Sequence, residues 1–186
     1  WDLGYEPELE RLVEIYSCWG SSERPGPTGN PRPIHQAMGG ERVGRHVCDA
    51  LRLRRRYGFI GSGDVHDGRP GNVISHWQAE PLNYRYVQPG GLLAAWCPAL
   101  TRDHVFDALW NRHVYATTGA RILLRFEIAG QPMGSEVRHD GPISANVEVA
   151  SEASVAAIDL VRNGDDYASE KAGDCVCQRH LITPVI

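Results

Sequence analysis

Apolar and polar positions alternate along Leu12-Val13-Glu14-Ile15-Tyr16-Ser17, with Val13, Ile15 and Ser17 on one face. Residues 9–17 therefore read as a strand entered from a polar turn. Residues 20–40 are rich in Gly, Pro, Ser and Asn and read as loop. A loop of that length inside a compact domain is usually functional or mobile. The period then changes. Val43, Val47, Ala50 and Leu51 stand at i, i+4, i+7 and i+8, with Glu41, Arg45, Asp49 and Arg52 off that stripe. This predicts a helix closed by Gly58 as its C-terminal cap. Phe59–Ser62 is short and apolar, as a buried parallel strand is. Residues 67–91 return to loop. Thr101 is placed to cap a second helix, with Asp103 in its first turn and Val105, Phe106, Leu109 and Trp110 as its buried side. The β-branched and aromatic run Val114–Thr118 predicts another strand.

From Arg121 the texture changes. Leu123, Arg125 and Glu127 alternate with Leu124, Phe126 and Ile128, and Ala145, Val147 and Val149 alternate with polar neighbours. Val155–Val161 is a further extended segment, and Asn163-Gly164 is a type I′ hairpin signal. Helix followed by strand up to residue 120, then strands without helices, predicts an α/β fold over residues 1–120. A small antiparallel β-rich region follows over residues 121–186.

Composition narrows the function classes. A net charge of −4 argues against nucleic acid as a partner. The basic run Arg52-Leu53-Arg54-Arg55-Arg56 reads as a solvated helix face. No apolar stretch approaches the roughly 18 residues that a spanning helix needs, so no membrane partner is expected. Five cysteines without a framework spacing favour reduced thiols and weakly favour a cytoplasmic setting.

The candidate chemistry lies in Phe59-Ile60-Gly61-Ser62-Gly63-Asp64-Val65-His66-Asp67-Gly68-Arg69-Pro70-Gly71. In extended backbone Asp64 and His66 share a face, and a carboxylate with an imidazole suits a Zn, Mn or Fe centre. Gly61 and Gly63 leave room for a ligand or a neighbouring strand. The competing reading is a hydrogen-bonded Asp and His at a strand end. Arg69 is placed either to pair with a substrate anion or to pair with Asp67 in a turn. His35, His46 and His76 read as surface histidines. Cys175, Cys177 and His180 fall short of four zinc ligands. Ser17, Ser21 and Ser22 have no adjacent base, and no phosphate-binding glycine loop is present.

Leu12–Ser17, Gly20-Ser21-Ser22-Glu23, Tyr57–Gly71, Ala108–Ile122 and Leu160-Val161-Arg162-Asn163-Gly164 follow one another in a familiar order. Through them most of residues 1–165 resembles the C-terminal half of the DUF3604 family. That family is a branch of the PHP (polymerase and histidinol phosphatase) superfamily of metal-dependent hydrolases. The resemblance implies that residues 1–120 are the C-terminal part of a distorted (β/α)7 barrel. It carries over Asp64 and His66 as ligands to divalent metal ions (Zn, Mn or Fe), with a metal-bound hydroxide attacking a phosphoester or related ester. Glu14 would flank the pocket as the partner of a ligand histidine, its alternative being a strand-end carboxylate facing solvent; Glu23 would contact substrate or cap a local turn, and the loop of residues 20–40 would lie over the mouth. Trp19 stands where family members often have His, and would supply an apolar wall or a stacking face.

The family's earlier ligands, an H-x-H pair and further Glu, Asp and His residues, have no counterpart in this sequence. The chain is therefore expected to carry part of a metal site that acts on a small anionic molecule, completed by a homo-oligomer or a missing N-terminal segment. The alternative is a noncatalytic binding module built on a barrel remnant, with residues 121–165 as its β-surface.

Overall fold

The structure is a computed structural model that describes residues 1, 4–34, 39–64, 69, 88–171 and, as backbone, 177–182. The chain divides into two compact units. One comprises Trp1–Ala94 with Tyr115–Ala120, the other Ala95–Val114 with Arg121–Ile186.

In the first unit β1 (Leu12–Ser17) forms a short antiparallel hairpin with β2 (Gly20–Ser21) and pairs in parallel with β3 (Gly58–Gly61). The parallel register sets Leu12 against Gly58 and Glu14 against Ile60, then shifts so that Tyr16 faces Gly61. Between β2 and β3 lies α1 (Val47–Arg52), which buries Val47, Cys48 and Ala50. β4 (Leu92–Ala95) and β5 (Val114–Thr117) form a separate two-stranded sheet. Gly61 lets them come close to β3: a Cβ there would stand 3.0 Å from the Leu92 carbonyl oxygen and 3.1 Å from that of Thr117.

The helix expected from Val43 to Gly58 is shorter. Val43 is fully exposed and outside it, Gly44 has a φ of 76°, and Gly58 opens β3 rather than capping a helix. The chain leaves α1 through Leu53 and through Arg54 at a φ of 60°. The region expected to be loop between residues 20 and 40 holds β2 and a 3-10 turn at Gly26–Thr28.

The second unit carries α2 (Arg102–Trp110), capped as expected by Thr101, whose side chain accepts the His104 N–H. Its buried position is Ala108. Phe106 and Trp110, expected in the core, are 58% and 40% exposed and stack on each other at 5.9 Å. Four strands make one sheet in the order β11-β8-β6-β7, with β6 at Leu123–Ile128, β7 at Gln131–Pro132, β8 at Ala145–Ala150 and β11 at Cys177–Ile182. β9 (Ala157–Arg162) and β10 (Asp165–Lys171) form a hairpin on Asn163-Gly164. Both turn residues have positive φ, 57° and 91°, as a type I′ turn requires. Val147, Val149 and Ile158 are the buried core, with Ile122, Leu124, Phe126 and Val155 packed on it.

The partial (β/α)7 barrel is overturned. A barrel needs successive parallel strands, each returned by a crossover helix. Among the described strands β1 and β3 are paired in parallel, while β1–β2, β6–β7, β6–β8, β8–β11 and β9–β10 are antiparallel. The strands fall into four small sheets, with helices of only six and nine residues among the described segments. The barrel was what the family resemblance implied, and the helix-then-strand order of the sequence agreed with it, but local order does not specify which strands pair.

Candidate functional site

Parallel pairing of β1 and β3 brings their C-terminal ends to the same edge. The backbone stays joined beyond the strands: Ser62 N–H donates to the Tyr16 carbonyl at 3.0 Å, and Cys18 N–H to that of Gly63 at 3.4 Å. Four side chains gather along this edge, those of Glu14, Cys18, Ser62 and Asp64. The Ser62 hydroxyl donates to Glu14 Oε1 in a short hydrogen bond. Ile60 is the register partner of Glu14, and Ser62 lies two residues further on the same face, which explains the match.

Cys18 is 3% exposed, and its thiol lies 3.8 Å from the Asp64 carbonyl oxygen. Burial, followed by the negative charge of Asp64, pushes the thiol from an ordinary value of 9.0 up to about 11. Near neutral pH it is a protonated thiol and no nucleophile. Asp64 itself is exposed and takes a left-handed backbone with a φ of 45°. For a residue with a Cβ this conformation costs roughly 1 kcal/mol or more. The extended alternation that pairs Asp64 with His66 thus ends before Asp64, since β3 stops at Gly61.

Behind this edge Tyr16 is buried. Its hydroxyl donates to the Pro89 carbonyl at 2.8 Å and receives Arg32 Nη1 at 3.2 Å. Gly91 N–H donates to the Ser62 carbonyl at 2.7 Å. A Cβ on Gly91 would meet Tyr16 Cδ1 at 2.9 Å, so only glycine fits without movement.

The other expected site residues lie elsewhere. The carbonyls of Ser22 and Glu23 accept the Val47 and Cys48 N–H groups at 2.8 and 3.0 Å, which satisfies two donors at the start of α1. The Glu23 carboxylate stands 3.8 Å from Arg24 Nε. Trp19 is half-buried and Arg69 is exposed. His66, His35, His76 and Cys175 lie outside the described residues, as do the side chains of Cys177 and His180. His46, expected at the surface, is instead buried.

Among the described residues no three His, Cys, Asp or Glu side chains are grouped to hold a metal ion. Asp64 with a protonated Cys18 does not make such a centre, and one Glu14 oxygen is engaged by Ser62. Cys18 and Ser62 were missed as site neighbours. Their signal was positional: one follows β1 directly and the other follows β3.

Residues 62–154 match the family described as "Protein of unknown function (DUF3604)". An uncharacterized protein of Chlamydia trachomatis serovar D is 38% identical over 168 residues, which are 87% of this chain and 26% of that protein. Uncharacterized proteins of Chlamydia muridarum and Chlamydia pneumoniae are 36% and 37% identical, over the same shares of each chain. The chain thus spans about a quarter of the length of the curated relatives it matches. No solved structure matches.

Proposed function

The chain belongs to the DUF3604 family, and on that premise we propose that it is part of a metal-dependent hydrolase of the PHP kind. In this reading Asp64 and His66 are two ligands to a Zn, Mn or Fe ion, and the substrate is a small phosphoester or related ester. The other ligands would come from the rest of a longer polypeptide or from a second chain. A metal at such a centre supplies an activated water and stabilises developing negative charge. Arg69 would attract the substrate anion. Glu14 would fix Ser62, and with it the Gly61–Gly63 backbone that presents Asp64.

One observation carries the reading. Asp64 is held in a left-handed conformation at the shared end of a parallel strand pair, beside Glu14–Ser62 and Cys18. Strained non-glycine residues cluster at ligand sites, where the cost is retained for function.

Metal content per chain by elemental analysis, after incubation with Zn, Mn or Fe, tests it beside the Asp64→Ala/His66→Ala double variant. Bound metal in the wild type and at least a roughly tenfold loss of affinity in the variant is the expected result. Equal metal content in both overturns the assignment of these ligands, and none in either shows that this chain alone does not hold the ion.

A second reading, a noncatalytic interaction module, is favoured by the exposed apolar side chains Leu100, Phe106 and Trp110 on and beside α2. Retention of a partner by wild type, lost in Phe106→Ser, would support it.

A further inference from the structure

Residues 42–56 hold six arginines, at positions 42, 45, 52, 54, 55 and 56, against one acid, Asp49, a formal balance of +5 in a chain of net charge −4. The run from Arg52 to Arg56 was expected as a solvated helix face. Instead α1 ends at Arg52, and the left-handed backbone of Arg54 takes the later arginines off the helical course. Asp49 is engaged by Arg52 at 3.1 Å. Arg42, Arg45 and Arg54 are exposed and meet no carboxylate among the described residues. Each end of α1 also presents an apolar side chain between arginines. Val43, between Arg42 and Arg45, is 101% exposed, and Leu53, between Arg52 and Arg54, is 59% exposed.

Trp1 joins the two ends of α1 into one surface. Its indole donates to the His46 carbonyl at 3.0 Å, next to Arg45. Its own carbonyl accepts Arg55, whose guanidinium lies 5.7 Å from the Trp1 ring and 5.2 Å from that of Tyr5. The Tyr5 hydroxyl donates to the Arg56 carbonyl at 3.0 Å and accepts the Arg56 N–H at 2.9 Å. Tyr57 stands 6.2 Å from the Trp1 ring and edge-on to Tyr5 at 5.5 Å. Six helical residues measure only about 9 Å, so both basic clusters lie beside the same half-buried aromatic group.

We propose that this face, from Arg42 to Arg56 around Trp1, is a docking surface for an anionic lipid bilayer. The arginines meet headgroup phosphates, and Val43 and Leu53 pass between the headgroups out of water. Trp1, Tyr5 and Tyr57 are the residue types that settle at a membrane interface, with an apolar body and a polar tip. Nucleic acid would serve the arginines alone and leave Val43 and Leu53 in water. The bilayer surface is the polyanion that accommodates both. No described helix is long and apolar enough to cross a membrane, and a surface contact requires none. The inference goes beyond the metal reading and uses none of that site's residues.

The test is co-sedimentation of the intact chain with vesicles of phosphatidylcholine alone and of phosphatidylcholine mixed with phosphatidylserine. Binding is expected to the mixed vesicles only, and to weaken as salt is raised. Arg45→Gln/Arg54→Gln should lower the affinity roughly twentyfold, since each arginine at an anionic surface contributes about fivefold. Val43→Ser/Leu53→Ser keeps every charge and should lower it roughly tenfold. All four positions are exposed, so neither double variant disturbs the core. Equal binding to both kinds of vesicle, or binding to neither, overturns the proposal. So does binding that the charge variant weakens and the apolar variant leaves unchanged. That result would mark a bare polyanion contact, which duplex DNA would reproduce.

Discussion

The thiols of Cys18 and Cys48 and the phenol of Tyr57 are all pushed toward their protonated forms, first of all by burial. For each, the folded chain keeps a proton that the unfolded chain gives up at lower pH. Stability therefore falls with rising pH across that window. For Cys18 the window runs from its ordinary value of 9.0 to about 11, and full passage is worth on the order of 2 kcal/mol. Cys18→Ala should flatten the alkaline limb of stability against pH, measured by urea unfolding at stepped pH, whatever it costs near neutrality. An alkaline limb unchanged in the variant would show that Cys18 does not carry it. At this scale spacing and residue type marked Asp64 as a candidate, and the family resemblance marked Glu14; the structure sets Glu14 against Ser62. The burial of Cys18 and His46 was not legible, because a lone cysteine or histidine takes its environment from segments far away in the chain.

Among the elements, those set by neighbouring residues were legible. Thr101 caps α2 because its hydroxyl reaches the N–H three residues on, a contact written within one turn. Thr101→Ala should destabilise the chain by about 1 kcal/mol, read from the shift in its urea midpoint. No shift would mean that the end of α2 is held by other contacts. The Asn163-Gly164 turn was equally local, as was the alternation that buries Ala145, Val147 and Val149 of β8. α1 was overextended because its apolar stripe continues through Val43, beyond the point where Gly44 turns the backbone. On α2 the large side chains drew the core face, yet it is the small Ala108 that is buried while Phe106 and Trp110 remain in contact with water.

For the whole molecule the corrected architecture has a direct spectroscopic consequence. With described helices of only six and nine residues, far-UV circular dichroism should be dominated by strand. A strong helical spectrum would refute this fold. Sequence by itself determined the family, the likeness to uncharacterized relatives and the D-x-H pattern, together with caps, turns and strand faces. These depend on residue identity and on contacts a few positions apart. Only the tertiary structure decided which strands are partners: β1 with β3, and β8 between β6 and β11. It alone set Cys18 against Asp64 and enclosed His46 between Glu41 and Asp49. Strand pairing and burial are settled by competition among distant segments for the same apolar surface and hydrogen bonds, and no local pattern records its outcome.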